Sequence, residues 1–360
     1  MAYTELRWGI IGTGWIAGMF VTDLLAPRDD ASIKHTITAI GSSSNLEKGQ
    51  QFAHKFWNAA SVTPNIYASY QEVYDAPDVD VVYIATPHSL HRQNCLDAIA
   101  AGKNVLCEKP FTINSREAAE VVEAARRKGV FLMEAVWTRF FPLVIELEKH
   151  IQKNTIGRIR RSIIEFGLSL NWDSLPETSR IKDPALGAGA LLDICIYPLT
   201  YSSVIFGRGK LGDEHPKTEV TSSLTIVNGV DESDVVVIKY KSIDGEAQSA
   251  ICLSTVHFPN PPSFGRIEGT DGSIALYSKF GPSCPTGFRI KGLDGEESDH
   301  RFDHPAGTIG FIYEADAVAR DIAAGRLENQ RMPLAETLRM MKLMDEIRGH
   351  NGLEYPQDRT

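Results

Sequence analysis

The stretch Asn104-Val105-Leu106-Cys107-Glu108-Lys109-Pro110 reads as a short buried strand, bounded upstream by a Gly102-Lys103 turn, that delivers a lysine and a proline at its carboxyl end. In an open α/β sheet, ligands sit outside the carboxyl ends of the strands, so Lys109 is placed to face one. The alternative is that Glu108 and Lys109 only begin a polar loop. Further along, Gly187-Ala188-Gly189 opens a stretch in which Asp193 and Tyr197 are four residues apart and share a face if it is helical. A tyrosine beside a lysine ammonium has its phenolate form favoured, so it can take or give a proton. That is the chemistry needed when an alcohol loses hydride. Taken alone, Tyr197 also reads as a helix tyrosine packed at a domain seam, and Asp193 as an internal cap or the partner of Arg180.

A hydride needs an acceptor, and the start of the chain has the pattern for one. Residues 6–11 form a compact apolar strand followed at once by Gly12-Thr13-Gly14-Trp15-Ile16-Ala17 and a helical pattern through Leu25. Gly12 permits the tight turn, Gly14 lets the backbone approach a pyrophosphate, and small Ala17 lets helix and strand pack closely. The second strand, 35–40, ends in Gly41-Ser42-Ser43-Ser44-Asn45 with Lys48 nearby. A carboxylate at such a tip binds the ribose 2'-hydroxyl and repels a 2'-phosphate. Serine hydroxyls and a lysine accept the phosphate instead, which favours NADP over NAD. Ser44 or Asn45 also reads as a cap for the helix that follows.

These stretches have to be positioned by larger elements. Helices expected at 45–56, 91–101 and 112–128 alternate with strands near 66, 79–85, 104–108 and 131–135, the order of a doubly wound parallel sheet. Beyond Pro142 the texture changes. One helix to about 153 leads into short period-2 strands at 158–170, 218–227, 234–240, 247–256, 266–269, 273–277 and 288–291, which predict a large, mostly antiparallel sheet. A helix at 189–206 interrupts it, and helices at 310–324 and 333–350 close the chain. The expected organisation is an α/β Rossmann domain at 1–137, an α+β domain for substrate and dimerisation at 138–332, and a C-terminal helix and tail at 333–360.

At 360 residues, 43% hydrophobic and 23% charged, the chain has material for two cores, and its net charge of −9 argues against a partner made of nucleic acid or an anionic membrane. The five cysteines are scattered, with no Cys-x-x-Cys spacing, which suits reduced thiols. No leader segment and no apolar run of membrane-spanning length are expected, and cytoplasm is the simplest address. His88 and His91 invite a metal reading, but no further ligand falls at the right spacing, so no metal site is expected. His300 and His304 are expected to be solvated.

Gly12-x-Gly14-x-x-Ala17, Glu108-Lys109-Pro110, and Gly187-Ala188-Gly189 with Asp193-x-x-x-Tyr197 together resemble the Gfo/Idh/MocA oxidoreductase family over essentially the whole chain. Tyrosine at 197, with Glu134-Ala-Val-Trp-Thr-Arg-Phe-Phe-Pro142, is similar to the branch holding dimeric dihydrodiol dehydrogenases and NADP-dependent D-xylose 1-dehydrogenases, the fungal ones most of all. The resemblance implies that Lys109 and Tyr197 form the catalytic pair. It places the nicotinamide over the end of the Glu108-Lys109-Pro110 strand, with Thr86, Pro87, His88 and His91 on the same side, and substrate between the domains. Trp137, Arg139, Phe141, Arg180 and Asp193 match positions near a sugar or diol pocket, and a homodimer forms through the second domain's sheet. The implied reaction is oxidation of an aldose at C1. The alternatives are a trans-dihydrodiol dehydrogenase or dicarbonyl reductase, a non-catalytic NADP-sensing regulator, and a scaffold. Two departures from the family stand out: Ala188 in place of glycine, and the serine tip where several relatives place arginine.

Overall fold

The computed structural model describes residues 4–28, 32–43, 45–57, 63–241 and 247–359. The chain forms two compact units, one of residues 1–137 with 304–334 and the other of residues 138–303 with 335–360.

The first unit is built on six strands: β1 (Thr4–Ile11), β2 (Ile33–Gly41), β3 (Asn65–Tyr67), β4 (Val81–Ile84), β5 (Asn104–Glu108) and β6 (Leu132–Ala135). They pair in the order β3-β2-β1-β4-β5-β6, every pairing parallel. This is the strand order of a dinucleotide-binding sheet, which reverses direction between β1 and β4 and leaves a crevice outside their carboxyl ends. Crossovers carry α1 (Trp15–Leu25), α2 (Leu46–His54), α3 (Tyr70–Asp75), α4 (His91–Ala100) and α5 (Ser115–Lys128). β4 reads Val-Val-Tyr-Ile with every residue buried, as expected for a strand covered on both faces. α5 shows why its boundaries were readable: Asn114 caps Glu117 N–H, three basic residues fill the last turn, and Gly129 follows at φ 72°. The six-residue α3 was not expected, being too short to show a helical period.

The second unit opens with α6 (Pro142–Gln152) and holds an eight-stranded sheet. Its strands are β7 (Ile159–Gly167), β8 (Thr218–Val227), β9 (Val230–Lys241), β10 (Ala247–Thr255), β11 (Ser263–Gly269), β12 (Gly272–Tyr277), β13 (Gly287–Gly292) and β14 (Glu297–Arg301). The order is β14-β13-β12-β11-β7-β10-β9-β8, antiparallel throughout except for the β7–β10 pair. β14 went unpredicted because Glu-Ser-Asp-His-Arg has no apolar alternation, and His300 within it stacks on Phe288 at 4.6 Å instead of lying in a solvated loop.

One face of this sheet is covered by a π-helical turn at Leu191–Cys195 that runs into α7 (Ile196–Gly207). Residues 184–207 are, contrary to expectation, long and apolar enough to match a membrane span by composition. Yet 94% of its apolar stretch is buried within the protein, so the segment belongs to the core.

Two further helices are α8 (Phe311–Ala323) and α9 (Leu334–Asn351). The boundary expected at 332 is corrected here: residues 304–334 belong with the first unit. The physical reason is Asp23, buried at 1% exposure on α1, whose carboxylate accepts the N–H groups of Ile309 (3.0 Å), Gly310 (2.9 Å) and Phe311 (2.8 Å) and so caps α8 from a distant part of the chain. One turn later Asp316 meets both Arg28 and His35. The Trp8 indole N–H donates to His35 Nδ1 at 3.0 Å, leaving Nε2 to face Asp316 Oδ1 at 2.9 Å, while Arg28 binds both carboxylate oxygens at 3.0 Å.

Burial alone raises the Asp316 pKa, but hydrogen bonds from His35 and Arg28 and the Arg28 charge outweigh it and hold it at about 2, below the usual 3.8. A depressed carboxyl contributes stability that is complete above the unfolded-state pKa and is lost as pH falls through the folded value. Asp316→Asn is therefore expected to destabilise the protein by about 1–2 kcal/mol at pH 7, after allowing for solvent screening. In urea titrations the gap to wild type should close between pH 4 and pH 2. A gap that stays constant over that range would place the stabilisation elsewhere.

Candidate active site

The crevice side of the first unit gathers most of the residues expected to hold a cofactor. Gly12 follows β1 at φ 97°, where a Cβ would lie 2.9 Å from the Ala85 carbonyl oxygen, so the turn admits only glycine. Gly14 and Trp15 are exposed, Trp15 at 74%, and Thr13 and Ile16 are half-buried. The N-terminus of α1 has Gly14 at its cap position, no side-chain cap and no acid in its first turn. Free amides and the positive end of a helix dipole, reached across backbone without side chains, fit a pyrophosphate.

At the end of β4, Thr86 and His88 are buried and Pro87 half-buried, and Asn94 donates to Thr86 Oγ1 at 2.9 Å. At the end of β5, Glu108 accepts the Tyr83 hydroxyl and the Lys109 N–H, the latter at 3.2 Å. Lys109 is half-exposed between buried Glu108 and buried Pro110, and the peptide joining it to Pro110 is cis.

His91, expected on the cofactor side, is instead an internal brace. It is fully buried, with Nδ1 2.9 Å from the Pro110 carbonyl and Nε2 2.9 Å from the Thr86 carbonyl, so it ties the β4 and β5 loops together and has no ring nitrogen left for a ligand. Ser42 is corrected in the same way: at 1% exposure its hydroxyl donates to the Asn45 carbonyl at 2.5 Å. Asn45 in turn caps α2 through Glu47 N–H and Lys48 N–H. Ser43 and Lys48 are exposed at this tip, as are Asn45 and Glu47, and Ser44 lies outside the described residues. One acid not singled out from sequence also stands here. Glu314 on α8 is fully buried, with neither oxygen hydrogen-bonded among the described residues; burial first, then the nearby carboxyls of Glu108 and Asp23, push its pKa well up, which favours the neutral acid. Trp137 stacks on Phe311 at 4.1 Å and 15°.

In the second unit, Arg180 and Asp193 approach to 3.8 Å, with the arginine side chain 53% exposed and the aspartate 13%. Tyr197 lies in the first turn of α7, 5% exposed, with the Phe166 ring edge-on at 5.4 Å. A π turn covers residues 191–195, so α-helical spacing does not carry straight through from Asp193 to Tyr197. Such wide turns recur at functional sites. Arg139 is not presented to a pocket. At 3% exposure it pairs with Glu336 at 2.6 Å and Ser203 at 3.3 Å. Burial acts to raise the Glu336 carboxyl, but a hydrogen bond from Arg339 and the charges of both guanidinium groups hold it far below the usual range. Phe141 is fully buried. Ala188 is 1% exposed, with its carbonyl taken by the Tyr355 hydroxyl at 2.5 Å, so its methyl faces the interior.

Known proteins align with this arrangement over nearly its full length. The oxidoreductase family with an NAD-binding Rossmann fold matches residues 6–136, and the GFO/IDH/MocA C-terminal domain matches residues 144–275. The chain is 34% identical to a D-xylose 1-dehydrogenase (NADP(+)) of Hypocrea jecorina, covering 98% of this chain and 93% of that one. It is 35% identical to a trans-1,2-dihydrobenzene-1,2-diol dehydrogenase of Danio rerio, covering 98% and 99%. Among solved structures, a 3-ketoreductase of Actinomadura kijaniata in complex with NADP superposes with a TM-score of 0.78 at 21% identity, covering 96% of this chain and 98% of that one. An aldose-aldose oxidoreductase of Caulobacter crescentus does so at 0.77 and 21%, covering 96% and 97%; at such identities the likeness is one of fold. With a nucleotide turn and Glu-Lys-Pro strand end in the first unit, an Asp-x-x-x-Tyr segment in the second, and relatives above 30% identity along its whole length, this chain belongs to the Gfo/Idh/MocA oxidoreductase family.

Proposed function

We propose that this protein oxidises an aldose, with D-xylose the first candidate, at C1 to the lactone with NADP as acceptor. The full-length 34% identity to a D-xylose 1-dehydrogenase (NADP(+)) carries this reading. NADP, when bound, supplies the hydride acceptor. The chain supplies the rest: α1's free N-terminal amides hold the pyrophosphate, and exposed Ser43 and Lys48 hold the 2'-phosphate. Tyr197 Oη takes the proton of the anomeric hydroxyl as the C1–H bond breaks and the C1=O bond forms, and the Lys109 ammonium favours the phenolate that does so. Arg180 and Asp193, partly exposed beside one another, suit sugar hydroxyls. A second reading, oxidation of a trans-dihydrodiol, is favoured by the 35% identity to the Danio rerio enzyme and uses the same proton and hydride path. The five cysteines, all buried and none in a disulfide, support a cytoplasmic address.

The active form in this reading is a homodimer. On the second unit's sheet, Val235, Val237, Ile251, Leu253 and Ile163 are exposed or half-exposed, and register places Ile251 opposite both Val237 and Ile163 and Leu253 opposite Val235. An apolar patch flanked on one side by the Arg161–Glu268 and Arg266–Glu268 pairs (2.8 and 2.7 Å), with Glu165 opposite Leu253, suits a second copy of itself.

Initial rates with NADP or NAD on D-xylose, D-glucose, L-arabinose and a trans-diol test the substrate. Turnover of D-xylose with NADP is expected, and NADP binding without turnover on any of the four would overturn the reading. Tyr197→Phe should lower kcat by roughly 10²–10⁴-fold, and Lys109→Met should lower it as well, both with little change in NADP affinity. Unaltered turnover would remove the residue from the mechanism. Ser43→Asp should move cofactor preference from NADP toward NAD, and an unmoved preference would mean that another group holds the phosphate. Leu253→Lys should yield monomers in analytical ultracentrifugation, and a dimer that persists would place the interface on another surface.

A further inference from the structure

The 191–207 segment that carries Asp193 and Tyr197 begins on two acids. Asp231 and Asp234, both on β9 and 0% and 1% exposed, lie directly beneath its first turn. Asp231 Oδ2 accepts the Leu191 N–H at 2.5 Å. Asp234 Oδ2 accepts the Ser254 hydroxyl from β10, whose register sets Ser254 opposite Asp234. The other oxygen of each acid, Asp231 Oδ1 and Asp234 Oδ1, meets no donor among the described residues, and the two buried carboxyls, three residues apart on β9, act on each other electrostatically. Two carboxylates that close and that dry cannot both be ionised, and a proton held between them satisfies both orphaned oxygens.

The surroundings say which acid keeps the charge. Burial raises both, but Asp231 Oδ2 accepts a backbone N–H, which favours the ionised form, whereas Asp234 Oδ2 accepts only a hydroxyl, so the charge rests on Asp231. Arg348 itself is committed to Asp345 and Asp358 at 2.6 and 2.5 Å. The remaining titratable neighbours are Cys195 from the π turn and Tyr355, both held neutral by burial. The glycine motif fits the same purpose. Gly189 has φ 118°, and a Cβ there would lie 2.2 Å from Asp231 Oδ1, so residue 189 must lack a side chain for the acid to reach the turn. Tyr355 fastens the preceding residue through the Ala188 carbonyl at 2.5 Å.

We propose that Asp231 and Asp234 share one proton and act as a positioning pair for the reaction: ionised Asp231 holds the start of the 191–207 segment through the Leu191 N–H, and so fixes where Asp193 and Tyr197 are presented. The catalytic half of this statement rests on Tyr197 as the acid/base; the structural half does not. A helix start held by a buried charge leaves little room for a tyrosine to wander, and a displacement of about 1 Å at a reacting group can cost 10²-fold in rate.

The test compares Asp231→Ala with Asp234→Asn in the full-length protein. Asp234→Asn replaces the shared proton with an amide N–H, so kcat is expected to stay within about threefold of wild type. Asp231→Ala removes the anchor, so kcat should fall roughly 10- to 100-fold while KM for NADP stays within about twofold, and deuterium uptake at residues 189–197 should quicken. Wild-type kcat and uptake in Asp231→Ala overturn the proposal, as does an Asp234→Asn as damaged as Asp231→Ala. Should Asp231→Ala fail to fold, the infrared difference between wild type and Asp234→Asn decides: a carboxylic-acid C=O band at pH 7 present in wild type alone supports the shared proton, and no such band overturns it. If Tyr197→Phe keeps full turnover, the acid/base reading fails while the uptake response still reports on the pair, so the two failures are distinguishable.

Discussion

A carboxylate taken out of water must find hydrogen-bond donors, and in this protein the donors are backbone N–H groups far away along the chain. Asp23 caps the residues 309–311, Glu134 takes the Phe111 N–H at 3.0 Å, Asp231 takes Leu191, and Glu336 takes Gly212 at 3.0 Å. Each bond joins an element to a loop or helix start distant from it in the chain. Removing such an acid leaves orphaned amides, and replacing the amide donor leaves an orphaned charge, so the connections are costly in both directions. The two residues proposed for catalysis sit on segments fastened in this manner: Lys109 two residues before Phe111, and Tyr197 six residues after Leu191.

This fastening explains how a site can be assembled from loops without being loose. The β4 and β5 ends are joined by the His91 ring, the β5 end is further held by Glu134 and by the Tyr83–Glu108 bond, and the α1 start is left with free amides. The candidate ligand-facing groups left exposed or half-exposed are Thr13 and Gly14 of the glycine turn, Ser43, Lys48 and Lys109. Rigid surroundings with a few accessible polar groups are what hydride transfer requires, since the reacting atoms must already be aligned when charge begins to move.

Much of this was legible in the residues. The strand–glycine turn–helix opening, the alternation of strands and helices to residue 135, and the change to period-2 strands afterwards follow from hydrophobic periodicity and turn residues, which are local properties. Lys109 and Tyr197 stood out because their chemistry is unusual at those places in the pattern. What stayed illegible shares one feature: it depends on pairing at long range. The short α3 and the polar β14 have no period of their own. The return of 304–334 to the first unit depends on an aspartate nearly three hundred residues earlier.

The same distinction separates the site residues. Arg139, His91 and Ser42 have side chains that bind phosphates, sugars or nicotinamide in general, so sequence alone offers them as ligands; the folded chain buries them against Glu336, two carbonyls and Asn45. Conversely, Asp231, Asp234 and Glu314 look like ordinary polar residues in a strand or helix until burial makes their protonation a structural matter. The sequence by itself determined the family, the order of elements and the residues able to do proton chemistry, because residue type and short-range spacing encode those. Only the tertiary structure decided which polar groups remain accessible to a ligand and which are spent inside, because burial and hydrogen-bond partnership belong to pairs of residues brought together by folding and not to either residue alone.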